Sequence, residues 1–147
     1  MSEVYLGNPN LKKANTPIEF SQENILEFMR CKEDPVYFAN KHIKIVSIDE
    51  GLIPFRMYPF QKKLISNFHE NRFNICKMPR QTGKSTTVVS YLLHYAVFND
   101  NVNIAILANK ASTARDLLGR LQLAYENLPN WMQQGIIAWN KGSLELE

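Results

Sequence analysis

The order of elements from Arg72 to Phe98 constrains this chain more than any other feature in it. A short β-type run, Arg72 to Lys77, leads into Met78-Pro79-Arg80-Gln81-Thr82-Gly83-Lys84-Ser85, and an apolar helix then runs from Lys84 through Phe98. Gly83-Lys84-Ser85 matches the end of a P-loop. There, backbone N–H groups at a helix N-terminus cradle phosphates, the lysine reaches the β and γ oxygens, and the serine hydroxyl serves Mg²⁺. The candidate nucleotide contacts are therefore Gln81, Thr82, Gly83, Lys84, Ser85 and Thr86, the last continuing the helix behind the loop. Met78 stands where the full pattern has its first glycine. A surface turn carrying a lysine is the competing reading, but it leaves unexplained why a loop with Arg80, Gln81 and Thr82 should link two buried elements. Arg80 is placed to touch a γ-phosphate in the manner of an arginine finger supplied in cis; its plainer reading is a solvated arginine. Gln61, just after Tyr58-Pro59-Phe60, is a candidate for the adenine edge with an aromatic against the base, or an exposed helix residue.

Around this segment the pattern is regular. The first 20 residues, with Gly7, Pro9, Asn10, Asn15 and Pro17, read as an irregular lead-in. Ser21 is an N-cap for a helix to about Lys32 with Ile25, Phe28 and Met29 on one face. Asp34 caps, and Pro35 opens, a short second helix carrying Tyr37 and Phe38. Ile43 to Ile48 and Leu52 to Phe55 read as a hairpin about Asp49-Glu50-Gly51, and Pro59 to about Glu70 as a helix. Asn99-Asp100-Asn101 ends the long helix, and Val102 to Ala108 reads as a buried strand. Ser112 to Leu128 reads as an amphipathic helix with Ala114, Leu117, Leu118, Leu121 and Tyr125 inward. Ile136 to Glu147 reads as two short strands around Asn140-Lys141-Gly142. Strands alternating with helices predict an α/β fold with a mostly parallel sheet.

Composition narrows the classes further. With 147 residues and 45% hydrophobic content the chain suits one soluble domain. Its longest apolar run is about five residues, far below the roughly 18 of a membrane helix, and Met1 to Lys13 lacks a signal peptide's apolar centre. A cytosolic location is the default. Cys31 and Cys76 have no CxxC or Cys/His spacing, so neither a disulfide framework nor a zinc site is suggested. A net charge of +3 is too mild to argue for nucleic acid. Lys62, Lys63, Arg72, Lys110, Arg115 and Arg120 are candidates for a phosphate-tracking surface or a solvated face. His94, in an apolar helix, reads as a packed residue. Trp131 and Trp139 read as closing the core near the last strands.

Four segments carry a resemblance: FRMYPFQKKLI (Phe55 to Ile65), CKMPRQTGKSTT (Cys76 to Thr87), AILANKASTARDLLGRLQ (Ala105 to Gln122) and LPNWMQQGIIAWNKGSLEL (Leu128 to Leu146). In this order they resemble the terminase large subunit of tailed bacteriophages, above all the T-even-like group, from about Tyr5 to Glu147. A P-loop without its first glycine is typical of that family. The resemblance implies a P-loop NTPase three-layer core with a small N-terminal helical unit: an irregular lead-in and helical part over 1–42, then part of an ATPase domain over 43–147. It implies ATP and Mg²⁺ as cofactors, Gln61 as the adenine-reading glutamine, Lys84 and Ser85 as phosphate and magnesium residues, and Arg80 as the catalytic arginine. Ala108 to Ala114 resembles the segment that connects nucleotide site to DNA in related motors. The implied partners are double-stranded DNA, the portal protein, the small terminase subunit and further copies of the motor, in the host cytoplasm and away from membranes.

The family's Walker B aspartate and catalytic glutamate have no counterpart after Ser85. Val46-Ser47-Ile48-Asp49-Glu50 imitates the pattern, but it precedes the loop and runs into Gly51, so it reads as a hairpin turn and takes no catalytic role. A nuclease domain is also lacking, as for a truncated, split or interrupted gene, and the chain alone is expected to bind nucleotide with negligible turnover. The other readings are a helicase-type remodelling ATPase, which shares a glutamine before the loop, and an inert fragment or partner-binding module.

Overall fold

The computed structural model describes residues 4–47 and 49–147. The expected first strand of the central hairpin ends at Ile48, and the expected leader-free start includes residues 1–3; these lie outside the described residues. Two N-terminal strands open the fold, β1 (Val4–Tyr5) and β2 (Asn8–Lys12), paired antiparallel. The lead-in is thus a hairpin, and Leu11 on it is buried in the core. Helix α1 (Gln22–Glu33) starts where Ser21 accepts a hydrogen bond from the Asn24 amide. Asp34 then caps α2 (Pro35–His42) by accepting from both Val36 and Tyr37 amides, with Pro35 at a position whose missing N–H costs nothing.

Strands β3 (Lys44–Ser47) and β4 (Gly51–Pro54) form the central hairpin, with exposed Asp49 and Glu50 in its turn. Helix α3 (Pro59–Glu70) follows, then α4 (Lys84–Phe98) and α5 (Ala111–Glu126). Strands β5 (Ile136–Trp139) and β6 (Leu144–Leu146) close the chain as a third hairpin. Helix α4 is the hub. It packs on α2, α3 and α5, and buries Val89, Leu93, Val97 and Phe98 against Phe38, Ile65, Leu121 and Tyr125. The ends of the chain are stitched together by Gln133, whose side-chain amide donates to the Asn10 and Leu128 carbonyls at 2.9 and 3.0 Å. Gly135 lets Ala14 pass, since a Cβ there would lie 2.5 Å from the Ala14 Cα.

The expected three-layer core with a mostly parallel sheet does not form. All sheets among the described residues are two-stranded and antiparallel, and these residues form a small mixed α/β structure with five helices. The runs expected as inner strands, Arg72 to Lys77 and Val102 to Ala108, lie outside every strand, and among the described residues no backbone ladder joins either to a neighbour. Phe73 is 83% exposed, Ile75 101% and Leu107 88%. A β-type run is held only by a partner's backbone groups, and parallel strands need cover on both faces. Here each pairing strand is taken up by a hairpin that closes over a few residues at small entropic cost. Helix α4 meanwhile packs its apolar face on the other helices, and in the two runs only alternate residues such as Cys76, Ile104 and Ile106 are half-buried.

Candidate functional site

The loop that joins the extended run to α4 has a defined shape. Gln81 and Gly83 both adopt the left-handed conformation, at φ of 62° and 73°, and the Thr82 hydroxyl donates to the Pro79 carbonyl at 3.1 Å. Gly83 is the N-cap of α4, and its carbonyl accepts from the Thr87 amide and hydroxyl, both at 3.0 Å. Having no side chain, Gly83 leaves the first turn uncapped. Among the described residues the amides of Gly83, Lys84, Ser85 and Thr86 have no acceptor, and they point where the helix dipole favours an anion.

Gln61 comes to this loop from α3. It is 3% exposed; its Oε1 accepts from the Tyr58 amide at 2.9 Å, and its Nε2 donates to the Thr82 carbonyl at 3.3 Å. The side chain therefore closes the start of α3 and holds the loop at once. The two motifs that sequence reading treated separately, Gln61 and Thr82-Gly83, meet in space. Gln61 is buried, which excludes the exposed-helix reading. Tyr58 and Phe60 beside it stack with ring centres 5.8 Å apart and planes 7° from parallel, both exposed.

Lys84 and Ser85 are half-buried on the first turn, and Arg80 is exposed on the loop. Neither Lys84 nor Arg80 makes a salt bridge among the described residues. The donor set suits a polyphosphate: free amides, an unpaired ammonium and a hydroxyl at Ser85. It supplies no carboxylate for Mg²⁺, since 78–86 contains no acidic residue. The six basic candidates Lys62, Lys63, Arg72, Lys110, Arg115 and Arg120 are all exposed, spread over α3, the 72–77 run, and α5 with its N-cap. A cavity of about 630 Å³ lies elsewhere, between Val102–Ile106, α5 and β6, and no residue from Gln61 or 78–86 lines it.

His94 is buried, as its setting in α4 implied. Its Nε2 contacts the Cys31 carbonyl at 2.9 Å, and burial pushes its pKa down to about 4 against the help of that bond. Sequence reading missed a second polar cluster, between α1 and α2. Glu27 Oε1 lies 2.8 Å from His42 Nε2 and 3.6 Å from the Cys31 Sγ. Its Oε2 accepts from Tyr37 at 3.0 Å and Lys41 at 2.9 Å. Burial opposes ionisation of Glu27, but the bonds from Lys41, His42 and Tyr37 outweigh it and hold the carboxyl at about 2. Burial, with the Glu27 charge, pushes the Cys31 thiol up to about 12. The only sequence signal was Glu27 and Cys31 sharing one helix face four residues apart.

No protein-family model matches the chain, and no helix of the described residues is long and apolar enough to cross a membrane.

Proposed function

We propose that the loop 78–85 binds the phosphates of ATP and that the chain is the N-terminal, ATP-binding part of a viral terminase large subunit, the motor that drives double-stranded DNA into a capsid. The observation that carries the reading is the contact between Gln61 and Thr82. It unites a glutamine next to an aromatic stack with a glycine-containing loop at a helix N-terminus, motifs from two of the four segments that carry the family resemblance.

Within this reading the chain's own residues divide the work. The amides of Gly83 to Thr86 and the Lys84 ammonium would hold phosphate oxygens, the Ser85 hydroxyl would serve Mg²⁺, and Arg80 would stabilise phosphate charge. Gln61 holds the loop in register and sits beside the Tyr58 and Phe60 rings where an adenine is to be read. When bound, MgATP supplies the phosphoanhydride bond whose hydrolysis drives translocation. The partners in this reading are duplex DNA, portal protein, the small terminase subunit and further motor copies, in the host cytoplasm.

The test is calorimetric titration of the chain with ATP and Mg²⁺ beside Lys84→Ala, with turnover followed in the same samples. Binding weakened at least tenfold by the substitution, with almost no turnover, is the expected outcome. Equal binding by both proteins, or none by a folded wild type, overturns the reading.

A further inference from the structure

We propose that Glu27, Cys31 and His42 form a binding site for a thiophilic divalent cation of the zinc class. The three donor atoms, Glu27 Oε1, Cys31 Sγ and His42 Nε2, all lie within 4.8 Å of one another. A tetrahedral zinc with bonds of about 2.0 Å to N and O and about 2.3 Å to S needs its ligands roughly 3.3 to 3.7 Å apart. The Sγ to Oε1 separation of 3.6 Å already fits, and the Oε1 to Nε2 separation of 2.8 Å has to open by about half an ångström.

The two carboxylate oxygens are divided in a way that suits one-oxygen ligation. Oε1 faces the thiol and the imidazole, whereas Oε2 is held by the Tyr37 hydroxyl and the Lys41 ammonium. Outer partners of this kind orient a ligating carboxylate. The Tyr37 hydroxyl also accepts from Lys41 at 2.8 Å, which ties the pair together. Ligation balances as follows: the Cys31 thiol gives its proton to solvent and becomes the thiolate, and His42 moves its ring proton to Nδ1 so that Nε2 offers a lone pair. Carboxylate, thiolate and neutral imidazole then compensate the dication, and Lys41 keeps its place on Oε2. Because α1 supplies two ligands and α2 the third, the ion would tie the two helices across the bend at Asp34.

Cobalt(II) is the probe. Titrated into the full chain, it should give the thiolate-to-cobalt charge-transfer absorption and the visible bands of a tetrahedral site, abolished by added Zn²⁺. Cys31→Ser should lose the charge-transfer band, Cys76→Ser should keep it, and His42→Gln should weaken Zn²⁺ binding by about tenfold or more. Zn²⁺ binding should release about one proton in buffers of differing ionisation heat. A wild type without the band, or a band that survives Cys31→Ser, overturns the proposal and leaves the cluster as a hydrogen-bond hub alone; the wild-type spectrum decides even if a variant fails to fold.

Discussion

Gln61 and Gly83 approach so closely that a Cβ on Gly83 would stand 2.5 Å from the Gln61 Nε2. The glycine is thus required twice, once for its φ of 73° and once for the space its missing side chain leaves. Helix α3 and the loop before α4 lock together only because both residues are present.

Gly83→Ala should destabilise the chain by about 1 kcal/mol for the left-handed backbone and by about 1–2 kcal/mol more for the overlap with Gln61. Gln61→Ala removes the overlap, so in that background Gly83→Ala should cost only the backbone part. Urea unfolding of the two single variants and the double variant gives the coupling. A coupling near zero would show that the amide and the loop do not touch in solution.

Glu27→Gln, measured with chelator present, should cost about 2 kcal/mol at pH 7, because Lys41 and His42 lose a charged acceptor that Tyr37 shares. The folded carboxyl is held at about 2, below its ordinary 4.5. Its stabilisation is therefore full above pH 4.5 and is lost as pH falls through about 2. Urea midpoints of the two proteins should converge over that window. A gap that stays constant down to pH 2 would mean that the charge on Glu27 contributes nothing.

Local signals in the sequence carried most of the elements. Ser21 and Asp34 each accept from amides within three residues of themselves, Pro35 and Pro59 open their helices, and Asp49-Glu50-Gly51 turns the chain on the spot. What an isolated sequence could not reveal is whether an apolar run finds a neighbour. Arg72 to Lys77 and Val102 to Ala108 have strand composition, yet pairing depends on residues far away in the chain, and the strands among the described residues pair within their own hairpins. The opposite error occurred at Asn8 to Lys12, where Pro9 and two asparagines hid a strand. At the candidate site Gln61 and Gly83-Lys84-Ser85 were legible as motifs, but their contact was not. The Glu27 cluster was illegible because His42 joins it through the packing of α2 on α1, not through spacing.

Amides of 72–78 and 102–108 should exchange with deuterium at rates close to those of an unfolded chain, whereas those around Leu93 and Val97 in α4 should be protected. Ile75→Ser and Leu107→Ser should leave stability within about 0.5 kcal/mol of wild type, since both side chains stand in solvent. Strong protection in either run, or a loss above 2 kcal/mol, would reveal strand pairing absent from this fold.

His94 sets a second acid limit, at higher pH. Its Nε2 donates to the Cys31 carbonyl, and its Nδ1 is buried with no partner among the described residues. Protonation would add a second buried N–H donor without an acceptor, and His69 opposes the new charge while Asp34 only partly offsets it. The folded value of about 4 lies below the ordinary 6.5, so the unfolded chain binds the proton more readily. Stability is complete above pH 6.5 and falls as the pH is lowered toward 4, by on the order of 3 kcal/mol. His94→Gln keeps a donor for the Cys31 carbonyl and cannot titrate, so its urea midpoint should be flatter between pH 6.5 and 4. An identical slope in the variant would assign the acid sensitivity to another group.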